Sequence, residues 1–437
     1  MKALLIALAL GMAPTDSLPD LSHPWNLQEC IDWALEKNLT VAAAEITVKT
    51  WEVDNNTARM KWLPGVSASA SENVNFGRGI GGNNTYERGN SATTGFSVGA
   101  NMTLFDGLAT PRNMEYSRLN LEAATKDLQK ARDDIRVKVA QAYVQILYNY
   151  ELHEVAQHQL SIDSLQVVRL QGLFENGKAS AAELSQQKAT EAQSRLTVVQ
   201  QAGNIRASLL DLAQLLEFHS WEGFSIVRPK VTFTDRMLPD PDEIYAEALG
   251  VRQLIRAEEL RLTGTEKQIQ IAKAGYFPTL SLSGGLGTNY YTSFKTTGFW
   301  DQLGNNFSQY VGLTLSVPIF SRFTIRNGVR TAKLRHGSQE IRLQQAKNNL
   351  YKEIQQAWNA AVTARAKHES TLQATAAAQD AFELTKAKYE NGKATPTEFN
   401  EALSRLVKAQ SNALQATYEC LYQTSLLEFY RGGRLEL

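Results

Sequence analysis

The sequence carries no excess of either charge: Lys and Arg total 45, and so do Asp and Glu, in a chain of 437 residues. With no net field to attract a polyanion, a nucleic-acid partner is not expected. Cysteine is nearly absent. Its two copies, Cys30 and Cys420, lie near the two ends of the chain, which excludes a disulfide scaffold. In an exported chain the two could still pair, and that bond is the expectation, with two free buried thiols as the alternative. Past the first dozen residues no run approaches 18 uninterrupted apolar residues, so no transmembrane helix is expected. Catalytic signatures are missing as well, with neither a phosphate-binding loop nor G-x-S-x-G in the chain. His153 and His158 are five apart, about 140° around a helix, so they cannot share a metal as an i, i+4 pair does. Gly77, Gly79 and Gly82 spell a dinucleotide fingerprint, but Asn83-Asn84-Thr85 follows where a helix would have to start. The expectation is no enzyme, no cofactor and no resident metal.

Proline is absent from the long stretches between Pro111 and Leu173 and between Thr324 and Tyr389, and glycine nearly so. Each is expected to be a helix of about 60 residues, roughly 90 Å at 1.5 Å per residue, longer than any globular core needs. Leu121, Ala124, Leu128, Ala131, Ile135, Val139, Ala142 and Ile146 step by three or four, the seam of helices packed side by side. Asn176-Gly177-Lys178 and Asn391-Gly392-Lys393 follow the two runs, where glycine suits a left-handed stop. A second helix then returns in each case, over 181–216 and 396–430, giving helical hairpins over about 111–217 and 324–430. Shorter helices over 27–37, 41–61, 242–250 and 254–274 precede the strands.

Short strands alternate with these helices. Phe96, Val98, Ala100, Met102 and Leu104 interleave with Ser97, Gly99, Asn101 and Thr103; Val311, Leu313, Leu315, Val317 and Ile319 interleave with Gly312, Thr314, Ser316 and Pro318. Period two with one apolar and one small, polar face predicts strands over about 64–76, 94–106, 277–291 and 308–320. Serine and glycine on the polar face suit a water-filled lumen, whereas the outer face of a soluble sheet usually carries Lys and Glu. Aromatics near the strand ends, among them Trp62, Phe105, Tyr276, Tyr291 and Phe320, complete the pattern of a transmembrane β-barrel. The Gly- and Asn-rich segments 77–91 and 292–308 are expected as external loops.

The chain also repeats itself. Phe174-Glu175-Asn176-Gly177-Lys178 returns as Tyr389-Glu390-Asn391-Gly392-Lys393, and Trp62-Leu63-Pro64 as Tyr276-Phe277-Pro278, each about 215 residues on. Two structural repeats are expected, 25–230 and 231–437, after a secretory signal over 1–13. That signal consists of Lys2 and an apolar run of about ten residues, too short to span a bilayer, with small residues offering a cut after Gly11 or Ala13. Four strands cannot close a barrel, and open edges cannot sit in lipid. Protomers must pool strands: three give twelve, and two giving eight stays open.

In this order and spacing the residues resemble the TolC-like outer-membrane efflux proteins. The resemblance runs from Trp25 almost to the end. It rests on the doubled sequence of helix, strand hairpin and helical hairpin, the Leu63-Pro64 and Phe277-Pro278 strand entries, and the two glycine tips. It implies a mixed α and β membrane protein: a homotrimer forming a 12-stranded β-barrel among outer-membrane lipids, continued by a periplasmic α-helical barrel. It further implies a duct in a tripartite efflux or export system, docked to a periplasmic adaptor (membrane fusion) protein and an inner-membrane pump. A periplasm-spanning anchor without a conducting role is the alternative. The family closes its tunnel with acidic residues six and nine positions past the second tip glycine, here Glu398 and Glu401. Glu183 stands six past Gly177, and Tyr389 stands where the family can carry a gate tyrosine. A basic residue that some family gates use two past the glycine is Ala394 here, beside Lys393. The plain reading of the acids is as helix-start residues favoured by the dipole. The tips Asn176, Gly177, Lys178, Asn391, Gly392 and Lys393 are the expected adaptor-docking points, with ordinary helix stops as the alternative.

Overall fold

The structure, a computed structural model, describes residues 21, 23–80, 85–229, 238–292, 298–433 and 435. The expected signal over 1–13 lies outside the described residues. The chain divides into two compact units, one of Met1–Ala43, Gln129–Arg252 and Asn349–Leu437, the other of Ala44–Leu128 and Gln253–Asn348.

The second unit holds the strands: β1 (Gly65–Asn75), β2 (Arg78–Ile80), β3 (Tyr86–Arg88), β4 (Ser91–Phe105), β5 (Thr279–Tyr291) and β6 (Ser308–Ser316). Four of them form an antiparallel sheet in the order β1-β4-β5-β6, and β2 pairs only with β3. Register fixes two faces. Val66, Ala100, Gly284 and Val311 align across the sheet on one face; Ser69, Ser97, Gly287 and Ser308 align on the other, where the Ser69 and Ser97 hydroxyls are bonded at 2.8 Å. A Cβ on Gly285 would come within 2.8 Å of the Tyr310 ring, so this glycine makes room for the aromatic on the polar face. The apolar face is bare: Val311 is 83% and Leu313 66% exposed. Among the described residues the outer strands β1 and β6 each have one neighbour, leaving two unpaired edges.

The last strand stops short of expectation. Its alternation continues to Ile319, but the ladder ends at Ser316, because Pro318 has no N–H to contribute. The segments expected to be plain loops contain the β2–β3 hairpin and a short helix, α7 (Phe299–Asn305). Gln302 on α7 exchanges two hydrogen bonds with the Tyr291 backbone, at 3.0 and 3.2 Å.

The other helices come in four equal pairs. α1 (Leu27–Lys37) and α5 (Pro241–Val251) have 11 residues each, α2 (Leu39–Met60) and α6 (Gln253–Ala274) have 22. α3 (Ala109–Glu175) and α8 (Thr324–Glu390) have 67 each, α4 (Ala181–Leu215) and α9 (Pro396–Tyr430) have 35. α3 starts two residues before Pro111, because Asp106 caps it, accepting from the Thr110 N–H at 2.9 Å and its hydroxyl at 2.5 Å. Pro111 then falls in the first turn, where a missing N–H costs nothing. Both strand-to-helix joints turn through consecutive left-handed residues: Gly107 and Leu108 before α3, Arg322 and Phe323 before α8.

In the first unit Trp25, Trp33, Phe218 and Phe224 pack edge to face at 5.2–6.2 Å, and Trp25 pairs with Ile226 across a parallel bridge. The buried Tyr143 hydroxyl donates to the Val227 carbonyl at 2.6 Å. Cys30 and Cys420 are both buried, and in the structure no disulfide joins them. Cys30 sits on the packed face of α1 beside Ile31 and Ala34. Burial, with Glu29 next to it, pushes its thiol up to about 12.

Candidate functional site

The hairpin tips of the first unit repeat one device. After α3, Gly177 takes φ 69° and the chain closes a double C-cap, with Gly177 N–H donating to Phe174 O at 2.9 Å and Lys178 N–H to Leu173 O at 2.8 Å. After α8, Gly392 takes φ 72°, with Gly392 N–H donating to Tyr389 O at 3.0 Å and Lys393 N–H to Lys388 O at 2.8 Å. Nothing lies within 4 Å of a Cβ built on either glycine, so the requirement is one of backbone conformation and not of space. The Asn176 and Asn391 amides each donate to a carbonyl four residues back, Gly172 and Ala387, both at 2.7 Å. Lys178 and Lys393 have exposed side chains.

The returning helices start with matched capping boxes. Ser180 accepts from the Glu183 N–H at 3.2 Å, and the Glu183 carboxylate takes the Ser180 N–H at 2.8 Å. Thr395 and Glu398 do the same at 3.2 and 2.7 Å. These bonds from the cap backbone, and then from the cap hydroxyl, hold both carboxylates below the usual range although both are fully exposed. Glu183 and Glu398 therefore have a local task at the tip, anchoring α4 and α9. Glu401 lies three residues further on, exposed, with Arg405 at 3.5 Å.

Tyr389 is buried, with 7% exposure, in a cluster with Phe382, Phe399, Leu403 and Leu406. Its ring lies 4.9 Å from that of Phe399. Burial pushes its phenol up, and the nearby Arg169 opposes this. Arg169, from α3, ties the first hairpin to the second. Its guanidinium lies 4.6 Å from the centre of the Tyr389 ring and donates to the Tyr389 and Glu390 carbonyls at 3.5 and 3.4 Å. Sequence reasoning did not single out Arg169, and no pattern marks it: the matching place in the second half is Leu384. Among the described residues no group of three or more His, Cys, Asp or Glu is placed to hold a metal ion, and no helix is long and apolar enough to cross a membrane.

Comparison with known proteins gives this arrangement relatives. The model of a family described as outer membrane efflux protein matches residues 30–216 and again 244–433. The chain is 26% identical over 437 residues to the outer membrane protein OprJ of Pseudomonas aeruginosa, covering 90% of this chain and 86% of OprJ. It is 26% identical over 298 residues to the fusaric acid resistance protein FusA of Burkholderia cepacia, covering 65% of this chain and only 54% of that protein's length. Its fold is that of the crystal structure of the outer membrane protein VceC from Vibrio cholerae. The two superpose with a TM-score of 0.79 at 20% identity, over 94% of this chain and 97% of the other.

Proposed function

We propose a way of working from the premise that this chain belongs to the outer membrane efflux protein family, whose model covers it twice from Cys30 to Gly433. Three copies close their four-stranded sheets into a twelve-stranded barrel in the outer membrane, continued by a periplasmic duct of paired helices. The two halves are a duplicated unit. The duct is passive and is gated at the hairpin tips, which meet a periplasmic adaptor and, through it, an inner-membrane pump.

One observation carries this reading: the sheet has an apolar face with Val311 83% exposed, a serine- and glycine-lined opposite face, and two unpaired edges. Unpaired backbone groups cost several kcal/mol each in hydrocarbon, so such a sheet is stable in lipid only when copies close it. Twelve strands enclose a lumen wide enough for solutes. The small residues on the inner face favour a conduit over an anchor, which could fill its barrel with bulky side chains. Equal helix lengths in the two halves support the duplication.

At the tips Tyr389, packed under Arg169, holds the two hairpins together. Glu398 and Glu401 share one face of α9 and, tripled by symmetry, form an acidic ring that favours cations. Exposed Lys178 and Lys393 and the glycine turns offer the adaptor its contact. The test is single-channel conductance of the purified protein in planar bilayers. Small cation-selective openings are expected; a protein that remains non-conducting even after the tips are loosened by substitution would sink the duct reading.

A further inference from the structure

α3, α4 and α9 of the first unit line a cavity of about 490 Å³ that is partly open to solvent. Leu152, Val155 and Val407 supply apolar wall, and most of the remainder is amide and hydroxyl. Asp163 is the one ionisable side chain among the lining residues, and no Lys, Arg or His accompanies it. Asp163 is 0% exposed. Its Oδ2 accepts from Gln159 Nε2 at 2.8 Å and from the Ser194 hydroxyl at 2.5 Å, while its Oδ1 has no partner. Gln159 Oε1 is likewise buried and unpartnered. Its orientation is fixed, because turning the amide over would set its oxygen against the Asp163 carboxylate. Asn400 Oδ1 is also unpartnered, but its amide donates to Gln187 at 2.9 Å and the two can turn over together, so it decides less.

Two neutral hydrogen bonds do not offset the removal of a carboxylate from water; such a group is offset by a proton or by an opposite charge, and a cation can also satisfy the bare Gln159 oxygen beside it. Water in the cavity can bond to the bare oxygens but cannot neutralise them. A divalent ion would leave one positive charge over, and Asp163 is the only carboxylate lining the cavity. Hard oxygen donors with a single negative charge match a monovalent ion. At about 30 Å³ per water the cavity has room for such an ion with several of its waters. We propose that this cavity binds one monovalent inorganic cation of the sodium or potassium class, with Asp163 Oδ1 and Gln159 Oε1 as protein ligands and water completing the shell.

The site serves to fix α3 against α4 and α9 and does not depend on the gating reading. The test is crystallography of the full-length protein in detergent with thallium(I), a monovalent anomalous scatterer, beside an Asp163→Asn variant. One anomalous peak per protomer is expected against Asp163 Oδ1. Excess potassium should displace it, and it should be at least tenfold weaker in the variant. Density for water alone in the wild type overturns the proposal, and so does a peak that survives in Asp163→Asn. Should that variant not fold, Gln159→Leu takes its place, with a weakened peak expected and an unchanged one counting against the ligand assignment.

Discussion

Replacing Arg169 by Met keeps the aliphatic stem and removes the guanidinium that joins the two hairpin tips. The hydrogen bonds to the Tyr389 and Glu390 carbonyls, at 3.5 and 3.4 Å, are at the long end of the range and contribute little. What is lost is mainly the cation held 4.6 Å over the Tyr389 ring. At a half-buried site that contact stabilises by about 1 kcal/mol, roughly fivefold in the equilibrium between joined and parted tips. Tyr389 is protonated at neutral pH, as an ordinary tyrosine is, and burial pushes its phenol further up, so the ring acts through its neutral face. Amide exchange across 391–398 should therefore quicken about fivefold in the Met variant. Arg169→Lys keeps the charge but loses the flat, stacking group and should fall between. Unchanged exchange in Arg169→Met would refute the reasoning, since the contact would then hold nothing. Single-channel recording answers a separate question. A rise in open probability of similar size ties the contact to gating, whereas faster exchange with unaltered conductance leaves it a structural staple.

The tip acids can be divided between capping and charge. Glu398→Gln preserves the capping box and removes the charge, whereas Glu398→Ala with Glu401→Ala removes both; block by a trivalent cation should weaken in the first and vanish in the second. Glu398 and Glu183 have folded values below their unfolded ones, so their stabilising share is full above the ordinary carboxylate range and is lost as pH falls through the depressed value. Protection of the Ser180 and Thr395 amides should stay level from pH 8 to 5 and drop only below about pH 4. In the native protein Cys30 should resist thiol reagents, while denaturation without reductant should expose both cysteines to labelling; a single labelled site would mean a modified thiol. On the sheet, Val311→Arg should destabilise the inserted protein by about 2–4 kcal/mol in urea titrations from lipid vesicles, and Ser97→Asn on the opposite face by far less.

Most of the helical frame was legible because its ends carry local chemistry. Pro396 after Thr395 places the start of α9, and Asn-Gly-Lys places both tips, so no tertiary knowledge is needed. The sheet was legible by period, and for the same reason its end was misjudged: alternation runs on through Pro318, while pairing depends on an N–H that proline lacks. Three-residue strands such as β2 and the seven-residue α7 are too short to show a period among glycines and asparagines. Thr395-x-x-Glu398 and Ser180-x-x-Glu183 spell capping boxes in plain sequence, yet the family resemblance drew attention to the acids as a gate. Arg169 and Asp163 were beyond reach. Each is one polar residue in a long helix, and its significance lies in what another helix brings to it.

The contact between Arg169 and Tyr389 also bears on how such a chain can change over generations. Each hairpin could in principle gain or lose heptads freely, since a helix of 67 residues has no intrinsic length. Inserting seven residues in one hairpin alone would slide its end about 10 Å past the other, carrying the guanidinium away from its ring. Insertions and deletions in the two halves are thus tied to one another. Descendants of this chain should vary in reach only by paired edits, and a lineage with unequal hairpins should have lost the arginine first.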